Sequence, residues 1–194
     1  MQKELEARGL RFTRYADDCV IAVKSESSAK RVMRTVSDWI QRKLRLKVNM
    51  TKTHITRPMK LKYLGFGFYK DSKTKEWKCR PHQGTVKKFK DRLKGLTCRK
   101  MPGTVTGKIE KINQVTRGWI NYYALGSMKA EMTKIDAHLR TRLRVIIWKQ
   151  WKVPGKRQWG LQKLGIGKDL ARLTAYCGDR YYWVATKTCV VRAI

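Results

Sequence analysis

The spacing of apolar residues changes once along this chain, near Pro81, and no other feature restricts the fold as much. Upstream, LRFTRY (10–15), CVIAVK (19–24), LKVNMTKTHI (46–55), LKYLGFGFYK (61–70) and WKCRP (77–81) are short runs rich in β-branched and aromatic residues, and they read as strands. One helix interrupts them. Ala29, Val32, Met33, Val36, Trp39, Ile40 and Leu44 recur at steps of three and four behind a capping Ser25, which predicts an amphipathic helix of about five turns packed on the hairpin's sheet. A further short helix is predicted over QKELEARGL (2–10).

Downstream of Pro81 three helical stripes follow: Val86, Phe89, Leu93, Leu96; Val105, Ile109, Ile112, Val115, Trp119; and Met128, Met132, Ile135, Leu139, Leu143, Ile146. TCRKMPGTVTG (97–107) connects the first two, and Gly126 ends the second. From Val153 onward the Gly-punctuated, Trp- and Tyr-rich sequence predicts no definite elements. The expected fold class is α+β: an antiparallel sheet with a packed helix over residues 1–82, then an all-helical domain over 83–194.

Charge narrows the partner. The chain has 46 Lys and Arg against 14 Asp and Glu, a net +32, and self-repulsion of that size is relieved by a polyanion. Both halves are basic, net +13 over 1–80 and +19 over 81–194, so the contact surface is expected to span both. No run approaches 18 apolar residues and MQKELEARGL lacks a signal-peptide core, so no membrane partner and a cytoplasmic location are expected. Five scattered cysteines without C-x-x-C suit a reducing compartment, and Cys79 with His82 lacks the second pair that zinc requires.

Against that background, the adjacent Asp17 and Asp18 between two strands are conspicuous. A two-residue hairpin turn favours Gly or Asn because it needs positive φ, and an Ala16-Asp17 centre provides neither. A broken turn rule at an acidic tip points to function, since neighbouring carboxylates there can converge on a divalent cation for phosphoryl transfer. The bland alternative is that Asp is a common turn former.

RYADDCVIAVKSE, an amphipathic helix, LKVNMTKTHI and LKYLGFGFY follow one another in the order of the last palm motifs of reverse transcriptases encoded by group II introns, and RGWINYYALGSMK with IDAHLRTRLRVIIWKQWK resembles that family's thumb, or maturase X, region. The resemblance divides the chain into a partial palm, 1–82, and a thumb/maturase domain, 83–194. It implies that Tyr15, Ala16, Asp17 and Asp18 match the catalytic Y-A-D-D, with Asp17 the direct Mg²⁺ ligand and Asp18 beside it. Asn49, Lys52 and Thr53 match the N-x-x-K-T segment near the incoming dNTP, where Lys52 is a candidate to protonate the leaving pyrophosphate. Leu64, Gly65 and Phe66 match the L-G-F segment that supports the primer.

The implied reaction joins a primer 3′-hydroxyl to a dNTP on an RNA template, with intron RNA as a second partner for splicing. The family's first palm Asp, which completes the two-ion Mg²⁺ site, belongs to a motif upstream of these residues, and residues 1–14 contain no substitute. The chain therefore reads as a C-terminal part that polymerises weakly alone and works with an N-terminal reverse transcriptase segment. An RNA-binding maturase module without polymerase activity is the alternative. A DNA-binding structural protein leaves the acidic hairpin unexplained, and no HNH-type cluster suggests DNA cleavage.

RNA contact is expected at Lys87, Lys88, Lys90 and Lys94, which flank the first stripe, and at Lys134, Arg140, Arg144, Lys149 and Lys152. Lys134, Arg140, Arg144 and Lys152 are predicted to point away from the third stripe's core face. Trp148 and Trp151 lie off that face, either under the C-terminal segment or stacked on unpaired bases, and packing is the favoured reading.

Overall fold

The switch at Pro81 is a switch of structure. A computed structural model describes residues 2–100 and 102–194 as an α+β protein. Helix α1 (Gln2–Ala7) buries Leu5 and leads into β1 (Arg11–Tyr15), which pairs antiparallel with β2 (Asp18–Ala22) in the register Arg11 to Ala22 through Tyr15 to Asp18. Helix α2 (Glu26–Leu44) begins where expected, with Ser25 Oγ accepting from the Ser28 amide at 3.2 Å. Strands β3 (Lys62–Tyr63), β4 (Phe66–Lys70) and β5 (Trp77–Pro81) form a separate antiparallel sheet in that order.

Four expectations change here. The strands form two sheets instead of one. Residues 46–55 form no strand, because the Asn49 side chain bonds forward and closes a turn. LKYLGFGFYK is a hairpin rather than one strand, bent at Leu64-Gly65, where φ is 49° and 81°. Two positive φ values in succession define the I′ turn that matches strand twist. Finally, α2 is amphipathic but has no buried residue, so its apolar face stays half open. A two-stranded ribbon offers too little apolar area to cover five turns of helix.

The helices after Pro81 are α3 (Gln83–Leu96), α4 (Val105–Tyr123), α5 (Lys129–Gln150), α6 (Pro154–Lys163), α7 (Lys168–Ala175), α8 (Tyr181–Thr186) and α9 (Thr188–Ala193). The three stripes meet as predicted: Phe89 and Leu93 of α3, Ile112 of α4 and Ile135 of α5 form one buried cluster, with Val86, Leu96, Val115, Trp119, Met132, Leu139 and Leu143 packed against it. Residues 153–194, which gave no periodic signal, form a second cluster of Trp148, Leu161, Ala171, Val184 and Val190. Short helices carry too few apolar positions for a period to emerge. Local signals fix their limits: Pro154 opens α6, and Gly165, at φ 88°, ends it as Ile166 N bonds Leu161 O at 3.0 Å.

Helix α5 thus serves both clusters, the first through Ile135 and the second through Trp148. Trp148 is only 2% exposed, which bears out packing under the C-terminal segment over stacking on bases. Among the described residues no helix is long and apolar enough to cross a membrane. Replacing Trp148 with Ala empties the second cluster and is expected to cost about 3–5 kcal/mol. Urea denaturation measures the loss, and amide exchange should quicken in α6–α9 while α3 and α4 remain protected.

Candidate active site and nucleic-acid interface

The acidic hairpin breaks the turn rule where the sequence said it would. Ala16 sits at φ 52°, the left-handed region that Gly normally occupies, and Arg14 Nε donates to Ala16 O at 2.8 Å to hold the turn. Tyr15, Asp17 and Asp18 are exposed, and neither carboxylate joins a salt bridge among the described residues. An acidic tip left unpaired in so basic a chain is available to a cation. Its donors are hard carboxylate oxygens, which suit Mg²⁺. The adjacent Cys19 adds no ligand, because burial pushes its thiol up despite the opposing field of Arg14. No group of three His, Cys, Asp or Glu converges among the described residues, so the tip supplies two donors of a larger set.

Tyr63 of β3 ties the second sheet to this hairpin electrostatically. Its hydroxyl is buried without a hydrogen-bond partner, and burial raises its pKa, with smaller contributions from Cys19 and Asp18. The Asn49 turn is self-contained: its Oδ1 accepts from Thr51 N at 3.1 Å, Thr51 Oγ1 at 2.6 Å and Lys52 N at 3.2 Å, while its carbonyl accepts from Thr53 N at 3.0 Å. The side-chain oxygen of Asn49 is therefore committed to the backbone, and Lys52 projects from the turn exposed. No hydrogen bond or ion pair among the described residues links this turn to the Asp17-Asp18 tip.

The Leu64-Gly65-Phe66 turn is gripped by the end of α4. Tyr122 Oη donates to Leu64 O at 3.1 Å, and Gly65 O accepts from His82 N at 2.9 Å and Thr85 Oγ1 at 3.1 Å. The Phe66 ring lies 4.9 Å from Tyr123 and 6.0 Å from Tyr122. A Cβ on Gly65 would overlap the Tyr123 hydroxyl, so the glycine is required by both its φ and its neighbour. Cys79 and His82 have structural partners: Cys79 Sγ donates to Leu125 O at 3.4 Å, and His82 Nδ1 accepts from Gly84 N at the start of α3.

The predicted basic contacts divide into three groups. Lys87, Lys88, Lys94, Lys134 and Lys152 are exposed. Lys90, Arg140 and Lys149 are exposed but engaged: Lys90 pairs with Glu131 at 2.5 Å, Arg140 with Asp136 at 2.8 Å, and Lys149 Nζ donates to Arg99 O at 3.4 Å. The hydrogen bond and charge of Lys90 hold the Glu131 carboxyl below its usual range. Arg144 corrects the prediction, for it is buried rather than solvated. Helices α6–α9 cover that side of α5, which the wheel, drawn without them, left open.

Two arginines escaped the sequence reading. Arg142 closes the end of α3, with Nε donating to Thr97 Oγ1 at 2.6 Å and Nη2 to the Lys94 and Thr97 carbonyls, both at 3.1 Å. Arg157 lies 5.1 Å from the Trp148 ring and 5.4 Å from that of Tyr181. The Trp- and Tyr-rich composition after Val153 was the one available signal for Arg157. A crevice of about 1030 Å³ also opens between β4, β5, α3, α4 and the start of α5, lined in part by Tyr69, Arg80, Lys87, Trp119 and Lys129. Its basic wall suits an anionic chain.

Family models match two successive parts of the chain: "Reverse transcriptase (RNA-dependent DNA polymerase)" over residues 1–68 and "Group II intron, maturase-specific domain" over residues 86–165. No curated protein gives a significant match.

The grip on the 64–66 turn predicts a coupled mutational effect. Gly65→Ala should destabilise the chain by about 1–3 kcal/mol. Tyr123→Phe removes the overlapped hydroxyl, so the same change in that background should cost less. A double-mutant cycle in urea measures the coupling, and simple additivity would remove the overlap as its cause.

Proposed function

Because the chain belongs to the group II intron-encoded reverse transcriptases with maturase activity, we propose that its Asp17-Asp18 tip supplies two carboxylates to an RNA-templated DNA polymerase and that its basic helices hold RNA. The observation that carries this reading is a strained, exposed, unpaired acidic tip in a chain of net charge +32. Asp17 is assigned as the direct Mg²⁺ ligand and Asp18 as its neighbour. When bound, such ions neutralise charge on the attacking and leaving oxygens of an in-line displacement. A third carboxylate is needed, and none joins the tip among the described residues. An upstream reverse transcriptase segment is assigned to provide it.

The other residues position and steer. Lys52, projecting from the Asn49 turn, is placed near the triphosphate of a dNTP, where an ammonium can protonate departing pyrophosphate. Tyr15 and Ala16 belong to the same tip, next to the primer end. The Leu64-Gly65-Phe66 backbone, fixed by α4, is a firm support for the primer strand. Lys87, at the basic crevice, with Lys88 and Lys94 on the same helix, is assigned to the template-primer backbone, and Lys134 and Lys152 to intron RNA. The reading places the protein in the cytoplasm with its RNA partners.

Primer extension on RNA with Mg²⁺ tests the polymerase part. The chain alone should extend weakly, addition of an upstream reverse transcriptase segment should restore activity, and Asp17→Ala should abolish it. Intron splicing without extension in either mixture would leave a maturase module only. The ion pair of Lys90 makes a separate prediction. Glu131 has a lowered pKa, so the pair persists above the usual carboxylate range and loosens only as pH falls through that lowered value. At neutral pH, Lys87→Ala should therefore weaken RNA binding and flatten its salt dependence by about one charge, with Lys90→Ala doing less. Affinity titrations across a salt series measure both.

A further inference from the structure

Arg144 is 8% exposed, and its Nε is buried with no partner. Among the described residues no hydrogen bond, ion pair or aromatic ring engages it. A guanidinium does not shed its proton on burial, so the charge remains and must be met by something. Arg157 repeats the pattern: its Nε is also buried and unpartnered, and its one hydrogen bond runs from Nη2 to Tyr181 Oη at 3.4 Å. Both arginines belong to the surroundings of Trp148. Arg144 lies one turn before it on the same face of α5, and Arg157 rests 5.1 Å from its ring.

The protein supplies no anion here. Residues 137–168 contain nine Lys and Arg and no Asp or Glu. The nearest acids in sequence are occupied or remote: Asp136 holds Arg140, Asp179 holds Lys187 at 2.7 Å, and Asp169 is exposed on α7. Helix α8, which packs on α5, has no acidic residue. Two guanidinium groups around one indole, neither with a carboxylate, form the preference of an oxyanion site, because each fork matches two oxygens of a phosphate.

We propose that Arg144 and Arg157 bind a phosphodiester of RNA at the seam between α5, α6 and α8. RNA is favoured over free phosphate because α8 also presents Tyr182 and Trp183 to solvent, where unpaired bases flanking that phosphodiester can stack. The site rests on the RNA-binding reading above and adds to it a specific buried contact.

The test is RNA binding by fluorescence anisotropy at fixed salt, with an RNA hairpin that carries an unpaired loop, alongside thermal unfolding of each variant. Arg144→Met should weaken binding about tenfold, as expected for loss of a charge-assisted pair, and leave the unfolding midpoint unchanged or higher, since an unpartnered buried charge has been removed. Arg144→Lys should recover only part of the affinity, because an ammonium lacks the fork. Affinity within twofold of the parent, or a loss seen only together with a lowered midpoint, overturns the site while the broader RNA reading stands. A parent chain that binds no RNA overturns both. If Arg144→Met does not fold, Arg157→Gln is judged by the same criteria. Inorganic phosphate that raises the parent midpoint, with RNA affinity unchanged in Arg144→Met, would reassign the pair to free phosphate and overturn the RNA assignment.

Discussion

Two consecutive tyrosines at the end of α4 connect the strand-rich part of this protein to its helical part. Tyr122 bonds the Leu64 carbonyl, and Tyr123 fills the space that a side chain at position 65 would need. From there an aromatic series runs inward: Phe66 to Tyr123 at 4.9 Å, Tyr123 to Trp119 at 4.6 Å, and Trp119 stacked on Phe89 at 4.4 Å. Each such contact adds about 0.5–1.5 kcal/mol beyond burial. The turn assigned to the primer is therefore anchored in the core of the helices assigned to the duplex. Loosening that anchor would move the primer support relative to the helices that grip the duplex.

Helix α5 plays a complementary part. Its first half completes the α3–α4 cluster through Ile135, and its second half carries Trp148 into the cluster of α6–α9. Such a helix has no open side along much of its length. That is why Arg144, polar by type and off the core stripe by spacing, is still enclosed. Burial of a charge in this way is costly unless a partner arrives, whereas Lys87, Lys88 and Lys94 remain hydrated on α3.

Much of this was legible in the residues themselves. The long helices showed because each keeps an apolar stripe over several turns, and the strained tip showed because Ala-Asp violates a steric rule that the backbone still obeys at φ 52°. The 46–55 segment misled because its β-branched residues resemble a strand, while the decisive interaction, Asn49 Oδ1 to its own turn, is local and polar. Arg142 and Arg144 share one helix and similar spacing, and only tertiary packing distinguishes a helix-end clamp from an enclosed cation. The acidic tip was legible as a pair, but the sequence pattern does not report how far Asn49 or Lys52 stands from it.

The half-open apolar stripe of α2 has a practical corollary for handling the protein. At low ionic strength a net +32 keeps molecules apart, and Val32, Met33, Val36, Trp39 and Ile40 find no neighbour to adhere to. Salt strong enough to strip off nucleic acid also shortens the range of that repulsion to about 3 Å at 1 M. The treatment that cleans the preparation thus removes its colloidal protection, and precipitation should begin on the α2 stripe rather than on the basic helices.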